Sequence, residues 1–164
     1  WAKPLPANAT KGAALLPAKP LDAASFFNGR FLSPGLAKRG DGWAWHVPEW
    51  REIPGSFRET FAGLKLLCGG RAGGGVSFEF EGRAVGAYVL AGPDAGVLEV
   101  SIDGGEYKPT NLYHHYSRGL HYPRTVMFAT DLAAGRHSVR LRLAKPPGDG
   151  VKGTAARILQ FAVN

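Results

Sequence analysis

Val76-Ser77-Phe78-Glu79-Phe80-Glu81 alternates apolar and polar side chains without a break, and His137-Ser138-Val139-Arg140-Leu141-Arg142-Leu143 repeats the pattern 61 positions later. A period of two puts every second side chain on one face of an extended chain, so each stretch predicts a strand with one buried and one wetted side. Working outward, Ala84 to Leu90 follows Gly82-Arg83 and is expected to pair with the first stretch as a hairpin. Val97 to Ile102 is the next strand, Asp103-Gly104-Gly105 a tight turn, and Glu106 to Leu112 its return. Tyr122 to Phe128 and Ala155 to Val163 supply two more strands, with a turn at Ala133-Ala134-Gly135 and a loop at Pro146-Pro147-Gly148-Asp149-Gly150. Gly42 to His46 allows a short strand within an irregular, aromatic stretch from Phe31 to Glu59 that Pro48 and Pro54 keep from regular structure. The 23 Gly and 12 Pro lie between these short runs, which suits many turns joining many strands. The fold class is therefore all-β, an antiparallel β-sandwich of jelly-roll type.

The 164 residues fit one domain with a tail. Residues 1–21 hold Pro4, Pro6, Pro17 and Pro20 without helical or strand period, and are expected to be a linker from a preceding domain, with the sandwich over 22–164. A short helical turn capped by Asp22 is expected over Asp22 to Phe27. No apolar run approaches the roughly 18 residues of a membrane span, and a leader peptide of an exported parent would lie upstream of Trp1.

The formal charge of +7 is compatible with acidic glycans, anionic surfaces or nucleic acid and selects none of them. Arg136, Arg140, Arg142, Lys145, Lys152 and Arg157 stand against Asp149 alone near the C-terminus, and on alternating positions such charges read first as a solvated strand face. Nucleic acid is not expected as a partner, because the basic residues are not interleaved with the aromatics of a known binding module.

The residue types of catalysis are present but not in working arrangements. There is no G-x-S-x-G, and Ser56 and Ser117 read as ordinary loop hydroxyls, so the segment is expected not to be an enzyme. His114, His115 and His121 offer imidazoles, yet adjacent histidines on a strand point to opposite faces, so no metal site is expected. Asp94, Asp103 and Asp131 are scattered, which leaves a structural calcium unsupported. No cofactor fingerprint occurs: the Gly-rich 69–75 run precedes a strand instead of opening a helix. Cys68 reads as a buried small hydrophobe that has no disulfide partner.

Two aromatic clusters remain. Trp43, Trp45, His46 and Trp50 form the first, and Tyr113-His114-His115-Tyr116-Ser117-Arg118 with His121-Tyr122-Pro123-Arg124 the second. Sugars present apolar C–H faces and hydroxyl edges, so aromatic platforms flanked by hydrogen-bonding groups suit them. Core packing or a domain interface would use the same Trp pair. The candidate ligand-binding or interdomain residues are Trp43, Trp45, Tyr113, His114, Tyr116, His121 and Arg124.

The stretches Gly86-Ala87-Tyr88-Val89-Leu90-Ala91-Gly92-Pro93-Asp94-Ala95-Gly96, Ser101-Ile102-Asp103-Gly104-Gly105, Leu112 to Arg124, Leu132 to His137 and Lys152 to Ile158 carry a resemblance, as do Asn28-Gly29-Arg30-Phe31 and Gly42-Trp43. From about residue 20 onward the chain resembles the β-sandwich domain that follows the catalytic domain in bacterial SGNH/GDSL-type hydrolases, and Trp1 to Pro6 is similar to the tail joining the two. The resemblance implies a secreted or periplasmic parent enzyme acting on decorated glycans, with its Ser, Asp and His triad upstream. It implies for this segment a noncatalytic accessory role, either carbohydrate-binding or structural, packed on the hydrolase domain.

Overall fold

In the computed structural model, which describes residues 18, 28–72, 74–145 and 153–164, the deciding stretch is strand β5 (Gly75–Gly82), with Val76, Phe78 and Phe80 buried. The expected linker, Ala18 apart, the helical turn after Asp22 and the Pro146–Gly150 loop lie outside the described residues. The described strands form two antiparallel sheets. The first runs β3 (Trp43–His46), β4 (Leu66–Gly69), β11 (Ala156–Val163), β6 (Val85–Ala91), β9 (Tyr122–Ala129), with β1 (Arg30–Leu32) also paired to β11. The second runs β2 (Lys38–Arg39), β5, β10 (Gly135–Leu143), β7 (Val97–Ile102), β8 (Lys108–Asn111). Among the described residues no helix is long and apolar enough to cross a membrane.

Facing rows of the two sheets interdigitate to make the core, with the Phe78 and Phe161 rings stacked at 3.9 Å across the gap. The alternation read in β5 and β10 holds residue by residue: Phe78 pairs with Val139 on the inner face, and Ser77 with Arg140 on the outer.

The hairpin expected between the first two strong strands is not formed. β5 pairs with β2 and β10 in one sheet, while β6 pairs with β11 and β9 in the other. Their compositions explain the separation. β5 needs cover on one face only, whereas every residue of β6 except Tyr88 is buried, so β6 needs cover on both. Gly82 makes the crossing between sheets at φ 157°, where a Cβ would overlap the Asn164 carbonyl oxygen.

The outer cover of β6 comes from residues 47–65. Trp50, Ile53, Phe57 and Phe61 pack over Leu66, Cys68, Leu90 and Leu159, whose sequence neighbours Leu67, Val89 and Ile158 point the other way into the main core. Two short 3-10 turns, Trp50–Glu52 and Glu59–Phe61, present these rings.

The β7–β8 turn is as expected, with Asp103 (φ 51°) and Gly104 (φ 76°) both left-handed and the Gly105 N–H donating to the Ile102 carbonyl at 2.9 Å. The Asp103 carboxylate also accepts from the Ser138 N–H at 2.8 Å and lies 2.6 Å from Nδ1 of His137, whose Nε2 lies 2.8 Å from the Ala133 carbonyl. Both ring nitrogens thus face acceptors, and the Asp103 hydrogen bond raises the imidazole above its usual range.

Candidate functional site

β8 and β9 are edge strands of different sheets, so residues 112–121 between them must cross from one sheet to the other. Their backbone is fixed from outside: the Ser56 N–H donates to the Gly119 carbonyl and the His121 N–H to the Ser56 carbonyl, both at 2.8 Å. Within the loop His114 caps a 3-10 turn over His115–Arg118. Its N–H donates to Ser117 Oγ at 3.2 Å, its Nδ1 accepts from the Tyr116 N–H at 3.4 Å, and the Ser117 N–H returns to the His114 carbonyl at 2.7 Å. Ser117 is therefore a buried cap, and Ser56 Oγ is engaged by the Gly119 carbonyl at 2.9 Å.

This turn gathers four rings. His115 and Tyr116 lie 3.8 Å apart between centroids, His114 and His115 4.0 Å, Tyr116 and Tyr122 5.1 Å, and His114 stacks on Tyr122 at 5.8 Å and 17°. Tyr116 is 57% exposed and Tyr113 37%. Strand geometry would have sent His114 and His115 to opposite faces; the 3-10 turn instead brings their rings together. Partial desolvation, with the charges of His115 and Arg124, holds the His114 imidazole below its usual range. Arg124 on β9 stands beside the rings, close enough for its charge to act on His114.

Of the residues singled out from sequence, His114, Tyr116 and Arg124 meet here, while Tyr113 precedes them in the chain, exposed and without a ring contact to them among the described residues. His115 and Tyr122 belong with them, and the spacing of residues 114, 115, 116 and 122 carries no signal of it, because the rings converge only through the 3-10 turn. His121 lies next to the cluster but inside the protein, 1% exposed, its Nε2 3.2 Å from the Pro54 carbonyl and its ring edge on Trp50 at 5.1 Å. Only the tautomer protonated on Nε2 can donate to that carbonyl, which leaves buried Nδ1 without a partner. Burial first, and the Arg157 charge second, depress its pKa. Trp43 and Trp45 stand on β3, at the opposite edge of the sheet from β9. Trp43 is a core ring whose Nε1–H donates to the Gly74 carbonyl at 3.0 Å, and Trp45 packs half-buried against the same core. Neither Trp43 nor His121 offers a face to a ligand.

A bidentate pair joins β11 to the loop after β6: Arg157 donates to both Asp94 carboxylate oxygens at 2.9 and 2.6 Å. Burial raises the Asp94 carboxyl, but the Arg157 hydrogen bonds and charge outweigh it and hold it below its usual range. The pair closes the floor of a cavity of about 370 Å3 that His46 and Cys68 also line. Among the described residues no three His, Cys, Asp or Glu side chains are grouped to hold a metal ion.

Cys68 reports on this floor. Burial pushes its thiol up to about 11, so at pH 8 about 0.1% is thiolate, against roughly a quarter for a free cysteine. Iodoacetamide labelling of the folded chain at pH 8 is expected to run about 100-fold slower than in urea. Equal rates in both would show that the Cys68 pocket is open.

No protein-family model matches the chain, and no curated protein does. Solved structures match it with a probability of 1.00. A two-domain esterase active on acetylated mannans superposes with a TM-score of 0.59 at 14% identity, covering 94% of this chain and 40% of the esterase. A family two carbohydrate esterase from Cellvibrio japonicus gives 0.52 at 14%, covering 82% and 32%. The chain thus spans about a third of the length of such esterases. A family 35 carbohydrate-binding module from Clostridium thermocellum gives 0.54 at 14% identity, covering 82% of this chain and 98% of the module. The chain has the antiparallel β-sandwich fold of that carbohydrate-binding module.

Proposed function

We propose that this chain is a noncatalytic, carbohydrate-binding module of an exported SGNH/GDSL-type esterase, joined to it through residues 1–21. The binding surface is the ring cluster of His114, His115, Tyr116 and Tyr122, with Tyr113 next to it in the chain and Arg124 as its hydrogen-bonding flank. That cluster carries the reading: a folded sandwich leaves four touching rings in water only at some cost, and they offer what a sugar needs, π faces for its C–H side and N–H and O–H groups for its hydroxyls. The match over nearly the whole of a carbohydrate-binding module supports it. Affinity electrophoresis through gels of acetylated mannan, galactan and xylan tests it. Retardation by at least one is expected, weakened about tenfold by Tyr116→Ala, equivalent to about 1.4 kcal/mol. No retardation by any neutral or acidic polysaccharide would sink the proposal.

A second reading, a domain packed on the hydrolase and stabilising it, has its own observation. Phe31, Ala162, Gly86 and Met127 form one register row across β1, β11, β6 and β9, a floor of small residues between Phe31 (56% exposed) and Met127 (38% exposed). This apolar groove of about 380 Å3 lies at β1, directly after the segment leading from the preceding domain. Deleting the sandwich would then lower the melting temperature of the parent enzyme, and an unchanged melting temperature would remove this reading.

A further inference from the structure

The outer face of the second sheet carries a feature that the aromatic cluster does not use. β10 points Arg136, Ser138, Arg140 and Arg142 outward. Two of these arginines are engaged: Arg142 bonds Glu99 at 2.6 Å and lies 3.9 Å over the Tyr107 ring, and Arg136 pairs with Glu79 at 3.5 Å. Arg140, between them, has no ion pair or hydrogen bond among the described residues. Neither has Lys38. The register places these two cations on either side of one hydroxyl, because Ser77 pairs with Arg140 of β10 on one side and with Lys38 of β2 on the other. Ser77 Oγ has no partner among the described residues either. Ser101 extends the row beyond Arg140.

Lys38, Ser77 and Arg140 line an open groove of about 590 Å3 that also includes Leu36, an exposed apolar side chain at 48%, and Ser138. Its lining holds Lys38, Arg136 and Arg140 against Glu79 alone. Lys38 and Arg140 are one strand spacing from Ser77 on each side, about 4.8 Å, so both long side chains can close on a single anion seated over the hydroxyl.

We propose that this groove is a second binding site, for an anionic group on an acidic polysaccharide, held by Lys38 and Arg140 over Ser77. The surrounding charges decide the class. Glu79, Glu81 and Glu99 alternate with the cations on this face, so a nucleic acid, with one phosphate charge per about 1.7 Å of duplex, would place phosphates against carboxylates. A polysaccharide with one anion per sugar or fewer meets Lys38 and Arg140, unpaired among the described residues, the Ser77 and Ser138 hydroxyls and the Leu36 methyls without that repulsion. The site is independent of the ring cluster, which lies at the β8–β9 loop.

Affinity electrophoresis with polygalacturonate and with dextran sulfate separates a carboxylate from a sulfate as the bound anion. Retardation by at least one is expected, decreasing with added sodium chloride. The Lys38→Gln/Arg140→Gln double variant should weaken it about tenfold with an unchanged melting temperature, since neither side chain has a partner among the described residues. Arg140→Lys should keep most of it. Arg142→Gln removes one charge from the same face but from an engaged side chain, and should change it less than about twofold. Tyr116→Ala should leave it intact, so that failure here and failure at the ring cluster are read separately. The proposal is overturned if neither polyanion is retarded, if Arg142→Gln and Arg140→Gln weaken retardation equally, or if only duplex DNA is bound through Arg140.

Discussion

Arg157→Leu is expected to destabilise the sandwich by about 3–5 kcal/mol, because it leaves the Asp94 carboxylate largely buried and unpaired. The side chains of Arg157 and Asp94 are 7% and 24% exposed, and the two bonds between them join β11 to the loop after β6. The backbone adds to that join, since the Ala155 N–H donates to the Asp94 carbonyl and the Gly96 N–H to the Ala155 carbonyl, both at 2.9 Å. A side chain at Gly153 would overlap the same Asp94 carbonyl. The double variant Asp94→Leu/Arg157→Leu should recover most of the loss, since replacing both charges removes the desolvation penalty together with the attraction. Urea unfolding at pH 7 measures all of these. The pH dependence has a fixed sign. The folded-state pKa of Asp94 is depressed, so its contribution is complete above the ordinary carboxyl value near 4 and is lost as pH falls through the lower folded value. The double variant should lose less stability than the native chain over that acid range. If it is as unstable at pH 7 as Arg157→Leu, the cost lies in packing around residue 157 and not in the stranded charge.

Arg157 also shows what a linear sequence can and cannot state. It was one of six cations read as a solvated face, and for Arg136, Arg140 and Arg142 the alternation of β10 does place the charges outside. Arg157 shares their chemistry but is buried by residues 47–65 and by Asp94, 63 positions away. Strand existence was legible because β5, β7, β10 and β11 each write their burial into a period of two or an apolar run. Sheet membership was not: β5 and β6 are separated by two residues, and only the need of β6 for cover on both faces, satisfied by an aperiodic segment, sends it to the other sheet. The candidate site was half legible for the same reason. Its residue types stand together at 113–124, yet the convergence of His114 and His115 depends on a 3-10 turn, and the burial of His121 depends on Pro54 and Trp50.

Trp50→Ala should therefore have an effect that reaches beyond the loss of one ring. Trp50 is 7% exposed, stacks on Phe57 at 4.8 Å, meets the edge of His121 at 5.1 Å and donates from Nε1 to the Ala62 carbonyl at 3.1 Å. Truncating a buried Trp costs about 3–5 kcal/mol, which for a domain of this size is a fall in melting temperature of about 10 °C or more. The consequence for function runs through His121 and Ser56. Without Trp50 the 47–65 segment loses its main anchor on β4 and β6, and the Ser56 hydrogen bonds that hold residues 119–121 lose their fixed partner. Amide exchange at Ser56 and His121 should accelerate in Trp50→Ala at temperatures where β5 and β10 remain protected, and polysaccharide retardation should be lost under those same conditions. Trp50→Phe keeps a ring against Phe57 and His121 but drops the bond to Ala62, so it should cost about 1–2 kcal/mol and keep binding. If Trp50→Ala melts within about 3 °C of the native chain, or binds polysaccharide normally while its 47–65 amides exchange freely, the ring cluster is held by its own loop and not by the segment packed behind it.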